Sequence, residues 1–216
     1  MAKKYYSLFS VLLMAFALIG CESTIHTASI RGNVDKIKTH LNEGNNVNQK
    51  DANNNSPLTY AATYGRTESV KFLLEKGADI EGRSNEGLTP LMSAAINNRL
   101  ETVKLLLEKG ANIETRATEK KLTVLHMVAT NDDPKMLKLL LKNGANVHSR
   151  GFSYIGEITA LSLATVSNHI DNVKILIKYG SNKNDISKIT LMGLKVTNST
   201  QHREVYNLVL KLFESE

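Results

Sequence analysis

The side chains able to do chemistry are few and scattered. His26, His40, His126, His148, His169 and His202 fall at separate places along the 216 residues, with no pair at the spacing that sets metal ligands on one helix face. Asp132-Asp133-Pro134 offers neighbouring carboxylates of the kind general acid–base chemistry uses. An aspartate directly before a proline, however, is where a helix N-cap belongs, and capping is the stronger reading of Asp133. Cys21 is the single cysteine, so neither a disulfide nor a thiol paired with a base can be assembled. Met92, Met127, Met136 and Met192 stand at helical positions and read as core filler, with Met92 and Met127 placed to flank an inner face. No glycine-rich phosphate loop and no Gly-x-Ser-x-Gly turn occurs. Nothing supplies a nucleophile with its base, so no catalytic residue, metal or cofactor is expected.

The elements that must position these residues are repeats. Thr89-Pro90-Leu91-Met92-Ser93-Ala94-Ala95 is followed by a helix over 101–109 that stops at Gly110-Ala111-Asn112-Ile113. The frame returns as Ser56-Pro57-Leu58 closing on Gly77-Ala78-Asp79-Ile80, as Thr123-Val124-Leu125-His126 closing on Gly144-Ala145-Asn146-Val147, and as Thr159-Ala160-Leu161 closing on Gly180-Ser181-Asn182. The glycines Gly44, Gly77, Gly110, Gly144 and Gly180 lie 33, 33, 34 and 36 residues apart. This frame resembles the ankyrin repeat. The resemblance implies an all-α solenoid of about five repeats, near 23–55, 56–88, 89–122, 123–158 and 159–188, with a C-terminal cap at 189–216 and short β-turn fingers.

Local physical chemistry agrees with that frame. Thr89 can cap the helix that Pro90 begins, because proline at the first helical position forfeits only an amide without a partner. Ala61, Ala62, Ala94 and Ala95 let first helices approach closely, and Phe72-Leu73-Leu74, Leu105-Leu106-Leu107 and Leu139-Leu140-Leu141 give the second helices their apolar sides. Thr67 is expected to cap the second helix of repeat two as Asp133 caps that of repeat four. One helix pair cannot bury its apolar face alone, so the pairs must stack. Counting back from Gly44 places the first opening at Ser23-Thr24-Ile25, with a second helix over 34–42. The last unit opens at Thr190-Leu191-Met192-Gly193-Leu194 and ends in a helix near 203–213 whose outer side carries Lys211, Glu214 and Glu216. In the resemblance His126 fills the fourth position of the Thr-Pro-Leu-His signature and hydrogen-bonds the frame.

Ahead of the repeats, Met1-Ala2-Lys3-Lys4 is a short basic region and 8–19 is an apolar run of 12 residues, the layout of a signal peptide rather than a bilayer span. Leu18-Ile19-Gly20-Cys21 resembles the lipobox of bacterial lipoproteins. The resemblance implies cleavage after residue 20, acyl chains on the sulfur and new amino terminus of Cys21, and a tether of residues 21–22 before the repeats. Glu22 is not the Asp that marks inner-membrane retention in enteric-type bacteria, which points to the periplasmic face of the outer membrane. The net charge of +6 falls to +4 without Lys3 and Lys4, and the basic residues are dispersed among acidic ones. That distribution is a solvated surface and not a nucleic-acid footprint.

Departures from the frame locate the candidate site. Where the resemblance places a glycine in each finger, Gly87 matches, Asn54 substitutes and Lys121 departs. The turn 115–122 is one residue longer than the period, and the join 149–158 is three longer, carrying Phe152, Tyr154, Ile155 and Ile158 between two glycines. Aromatic residues gathered in a turn read either as anchors for a partner or as a finger folded onto its own array. The resemblance implies protein recognition along the concave side, where the register places Tyr60, Tyr64, Asn85, Ser93, Asn97, Arg99, Met127, Asn131, Phe152, Tyr154, Ile155 and Leu163. The expected protein is a monomeric, non-catalytic binding module in the envelope that inhibits, or gives immunity against, an envelope-active hydrolase. The alternative is a passive scaffold or chaperone holding a periplasmic enzyme near the membrane.

Overall fold

Proline, threonine and small-residue spacing set where each helix starts. The computed structural model describes residues 24–117, 120–153, 156–186 and 200–214. Lys3, Lys4, Cys21, Tyr154, Ile155, Glu216 and the 190–194 opening of the last unit with Met192 lie outside the described residues, as does the side chain of His202. Five helix pairs follow one another: α1 (Ile25–Arg31) with α2 (Val34–Asn42), α3 (Pro57–Thr63) with α4 (Thr67–Glu75), α5 (Pro90–Ile96) with α6 (Leu100–Glu108), α7 (Val124–Val128) with α8 (Pro134–Lys142), and α9 (Ala160–Val166) with α10 (Ile170–Lys178). A 3-10 turn (Lys183–Asp185) precedes the closing helix α11 (Thr200–Glu214).

Caps explain these starts. Thr89 accepts from Met92 N at 3.3 Å and Asp133 from Lys135 N at 3.0 Å, so the Asp132-Asp133 pair is read by the helix as a cap. Within the opening at Ser23-Thr24-Ile25, Thr24 caps α1, accepting from Thr27 N at 3.1 Å. Two expectations need correction. Arg66, not Thr67, is the N-cap of α4, and Thr67 Oγ1 instead meets Thr102 Oγ1 of the next repeat at 2.9 Å. The second helix of repeat three begins at Leu100 and ends at Glu108, one residue earlier than 101–109.

The pairs stack first helix on first helix and second on second. Leu58, Leu91, Leu125 and Leu161 form one buried column through the first helices, and Leu73, Leu106, Leu140 and Leu176 form its counterpart through the second helices. Each such leucine contributes about 1.5–3 kcal/mol on leaving water. Ala61, Ala62, Ala94 and Ala95 are fully buried where the first helices meet. Gly77, Gly110 and Gly144 take φ of 85°, 88° and 86° and turn the chain out of each second helix. Asp79 Oδ1, Asn112 Oδ1 and Asn146 Oδ1 then each accept from the amide two residues on.

Polar rungs tie each turn to the next. Glu81 accepts from Asn112 N at 2.7 Å and Thr115 Oγ1 at 2.8 Å, and Glu114 accepts from Asn146 N and Ser149 Oγ, each at 2.8 Å. In the next rung His148 Nδ1 lies 2.8 Å from Asp185 Oδ2. A second ladder is cationic: Lys50 donates to Arg83 O, Arg83 to Arg116 O, Arg116 to Arg150 O and Arg150 to Asn184 O, at 2.5–3.2 Å. The dispersed basic residues are in part these staples. Regular spacing thus holds the fingers in line above the first helices.

Candidate functional site: the concave groove and the long finger

The fingers before α3 and α5 stand over the first helices and enclose a groove of about 390 Å³. Of the residues expected on the concave side, Tyr60, Tyr64, Asn85, Ser93 and Asn97 line it together. Ser93 is corrected from an exposed position to the groove floor, at 6% exposure, because α3 and α5 approach closely there. Tyr64 is the most open aromatic side chain of the groove at 43%.

Tyr60 is fixed from both sides. Its hydroxyl donates to Asp51 Oδ2 at 2.6 Å, and its ring meets His26 edge-on at 5.8 Å between centroids. Burial alone would raise the Asp51 carboxyl, but hydrogen bonds from Tyr60 and from the Asn55 and Asn53 amides outweigh it and hold Asp51 below the ordinary aspartate range. The same bond to Asp51, with burial, pushes the Tyr60 phenol up. Asp51 is therefore a fixed negative charge at the groove edge, anchored by Asn53 N and Asn55 N at 2.9 and 2.8 Å. The finger holding Asn85 is docked on its predecessor through Asn85 N to Asn53 O at 3.0 Å and Asn85 Nδ2 to Ala52 O at 3.3 Å.

The family model described as ankyrin repeats (3 copies) matches residues 25–117 and again residues 112–187. The chain belongs to the ankyrin-repeat family. Ankyrin repeats are protein-interaction modules, and the family fixes that much of the function. No curated protein matches the chain.

The remaining expected residues divide by role in the ankyrin array. Arg99 is exposed, yet its Nε donates to Thr63 O at 3.0 Å and its stem covers Gly65, where an added Cβ would lie 2.8 Å from Arg99 Cδ. Arg66 does the same one repeat earlier, donating to Ile30 O at 2.8 Å over Gly32. Arg99 is thus a staple between helix hairpins. Met127 and Leu163 are half-buried against the core, and Met92 is buried outright, so it does not flank the inner face. Asn131 turns its carbonyl to Asn172 Nδ2 at 2.8 Å.

The long finger is a two-stranded ribbon. Strands β1 (Gly151–Ser153) and β2 (Gly156–Ile158) pair antiparallel, and Arg150 bonds Glu157 at 2.6 Å beside them. The finger also rests on its predecessor: Phe152 N donates to Lys120 O at 2.7 Å, and a Cβ on Gly151 would meet Leu122 Cδ2 at 2.6 Å. Lys121 holds its ammonium 5.6 Å from the centre of the Phe152 ring, which stays 43% exposed. The backbone of this finger is docked on its predecessor while the Phe152 ring stays open. Tyr154 and Ile155 at its tip lie outside the described residues.

His126 proves structural. Its Nδ1 accepts from Thr123 N at 3.2 Å and meets Thr123 Oγ1 at 2.8 Å, leaving Nε2 to donate to Ile158 O at 3.3 Å. Burial lowers the pKa of this imidazole below the ordinary histidine value. Among the described residues no three of His, Cys, Asp and Glu converge as metal ligands. Sequence reasoning missed Asn53, Asn55, Glu86 and Ile96 as groove residues, and Asp51 as the partner of Tyr60. The signal was available in the period, since 53 and 86 occupy the same finger position one repeat apart.

Proposed function

We propose that this ankyrin array is tethered to the bacterial envelope by acyl chains on Cys21 and there inhibits, or gives immunity against, a hydrolase that attacks the envelope. In this reading the leader spans 1–20, residues 21–22 form the tether, and the array faces the periplasm at the outer membrane as a monomer without catalysis of its own. The observation that carries the binding role is the groove lined by Tyr60, Tyr64, Asn85 and Asn97 between aligned fingers. Of the groups singled out for possible chemistry, His126 and Asp133 are committed to the frame. Several acyl chains, at about 0.8 kcal/mol per buried methylene, hold a protein at a membrane far better than a residual charge of +4 could.

Two measurements test the proposal. Fractionation of the Cys21→Ser variant should move the mature protein out of the membrane pellet, and a cleaved protein that still pellets sinks the anchor. A hydrolase captured from envelope extract should lose turnover as the array is titrated in, whereas capture with turnover unchanged favours the passive scaffold. Within that complex, Phe152→Ala should weaken binding by about 2 kcal/mol if the finger is an anchor of the interface.

A further inference from the structure

The groove between the fingers before α3 and α5 is lined by polar side chains but carries formal charge of one sign only. Asn97 Nδ2 donates to Ser93 O at 2.8 Å and Asn85 Nδ2 to Ala52 O, which uses one N–H of each amide and leaves both side-chain oxygens open as acceptors. Tyr60 spends its proton on Asp51. Among the described residues, Glu86 stands exposed on the groove wall with no hydrogen bond, and no lysine or arginine lines the groove. Two carboxylates, Asp51 at the edge and Glu86 on the wall, thus stand near the open amide oxygens of Asn85 and Asn97 in a chain whose net charge is +6. Beside them Tyr64 leaves an aromatic ring 43% exposed.

We infer that this groove receives an arginine side chain from the protein partner. A guanidinium carries five donors, which suit the Glu86 carboxylate and the open oxygens of Asn85 and Asn97, and its flat face stacks on tyrosine. A lysine ammonium brings charge but no planar fork and no stacking face. The inference rests on the reading of the array as a protein-binding module and adds the chemistry of what enters it. It differs from the role of Arg66 and Arg99, which fill their own hairpins from within the chain.

The test titrates the full-length protein in neutral detergent with acetyl-Gly-Arg-Gly-amide, following the side-chain amide signals of Asn85 and Asn97 by NMR. Saturable shifts confined to the groove are expected, with affinity weakened about threefold to fivefold by Glu86→Gln and about twofold to fivefold by Tyr64→Leu. Both variants should melt as the parent does, because both side chains are exposed; the stack then remains intact while the site is lost. The lysine and glutamine analogues of the tripeptide should bind more weakly, the glutamine one least. Equal response to the glutamine peptide, shifts spread over the array, or saturable binding of an N-acetylglucosamine disaccharide in place of the arginine peptide would each overturn the assignment. A captured partner that protects the Phe152 finger from hydrogen exchange but leaves this groove unprotected would also overturn it, while preserving the protein-binding role.

Discussion

Repeats two and three keep the strict spacing of 33 and repeats four and five stretch to 34 and 36, yet the same leucine columns run through both halves. What changes is everything the columns do not need. The early half closes its hairpins with Arg66 and Arg99 and presents a groove of tyrosines, amides and Glu86. The later half puts Asp133 and His169 at those hairpin positions, sets Met127, Leu163 and the 60% exposed Val166 on the inner helices, and builds a β-ribbon finger with Phe152. One frame therefore carries two surfaces of different chemistry, as expected where each repeat is held only by its neighbours.

The largest effects should be the same in both halves. Leu106→Ala and Leu140→Ala each remove a fully buried side chain and should cost about 2–5 kcal/mol in denaturant titration, whereas Lys109→Ala on the outer surface should cost under about 0.5 kcal/mol. A much smaller loss at Leu140 than at Leu106 would break the comparison, since it would mean that the stack loosens where the fingers lengthen. Next in size is Gly110→Val. A Cβ there meets nothing within 4 Å, so the loss of about 1–2 kcal/mol reports only the left-handed backbone at φ 88°. Melting unchanged by that variant would mean the turn can refold.

How far the sequence disclosed the molecule follows the same division. The period located every helix pair, and Thr89, Pro90 and Asp133 placed starts because cap chemistry is local. Thr67 misled because hydroxyl chemistry at a hairpin serves two masters, and its partner Thr102 lies 35 residues away. The candidate site was legible as a face but not as a set. Ser93 occupies the column of Tyr60, yet a small side chain there sinks to the floor while the tyrosine reaches the wall. Lys121 was legible as a departure, not as a tolerated one: it adopts φ of 53° at the position where Gly87 has 73° and Asn54 has 60°. Its side chain then faces Phe152, a pairing between fingers that no single repeat contains.

The third effect is a pH dependence that belongs to the later half. His126 joins repeats four and five through Ile158 O, and burial sets its folded pKa below the unfolded value near 6.5. Above that value both states hold a neutral imidazole and the contribution is whole. As pH falls through 6.5 toward the folded value, the unfolded chain binds its proton first, so stability declines across that window and recovers with rising pH. His126→Gln should flatten the profile there while lowering stability at pH 7. An unchanged slope would assign the titration to another group.

The smallest effect concerns the Phe152 finger and separates it from the frame beneath it. Phe152 is tied to the preceding finger through its backbone amide, which survives truncation of the side chain. What Phe152→Ala removes is a ring 43% exposed and an ammonium contact at 5.6 Å, an interaction of about 0.5–1 kcal/mol at an open site. The variant should therefore melt within a few degrees of the parent, because a loss of about 1 kcal/mol shifts the midpoint of a domain this size by roughly 2–4 °C. Leu122→Ala is the sharper contrast. Its side chain packs where Gly151 leaves room, a contact between the two fingers that truncation removes outright, so its loss should loosen both fingers at once. If Phe152→Ala destabilises as much as Leu122→Ala, the aromatic ring belongs to the frame, and the division between stacking columns and presented surface fails at the one place where the finger is longest.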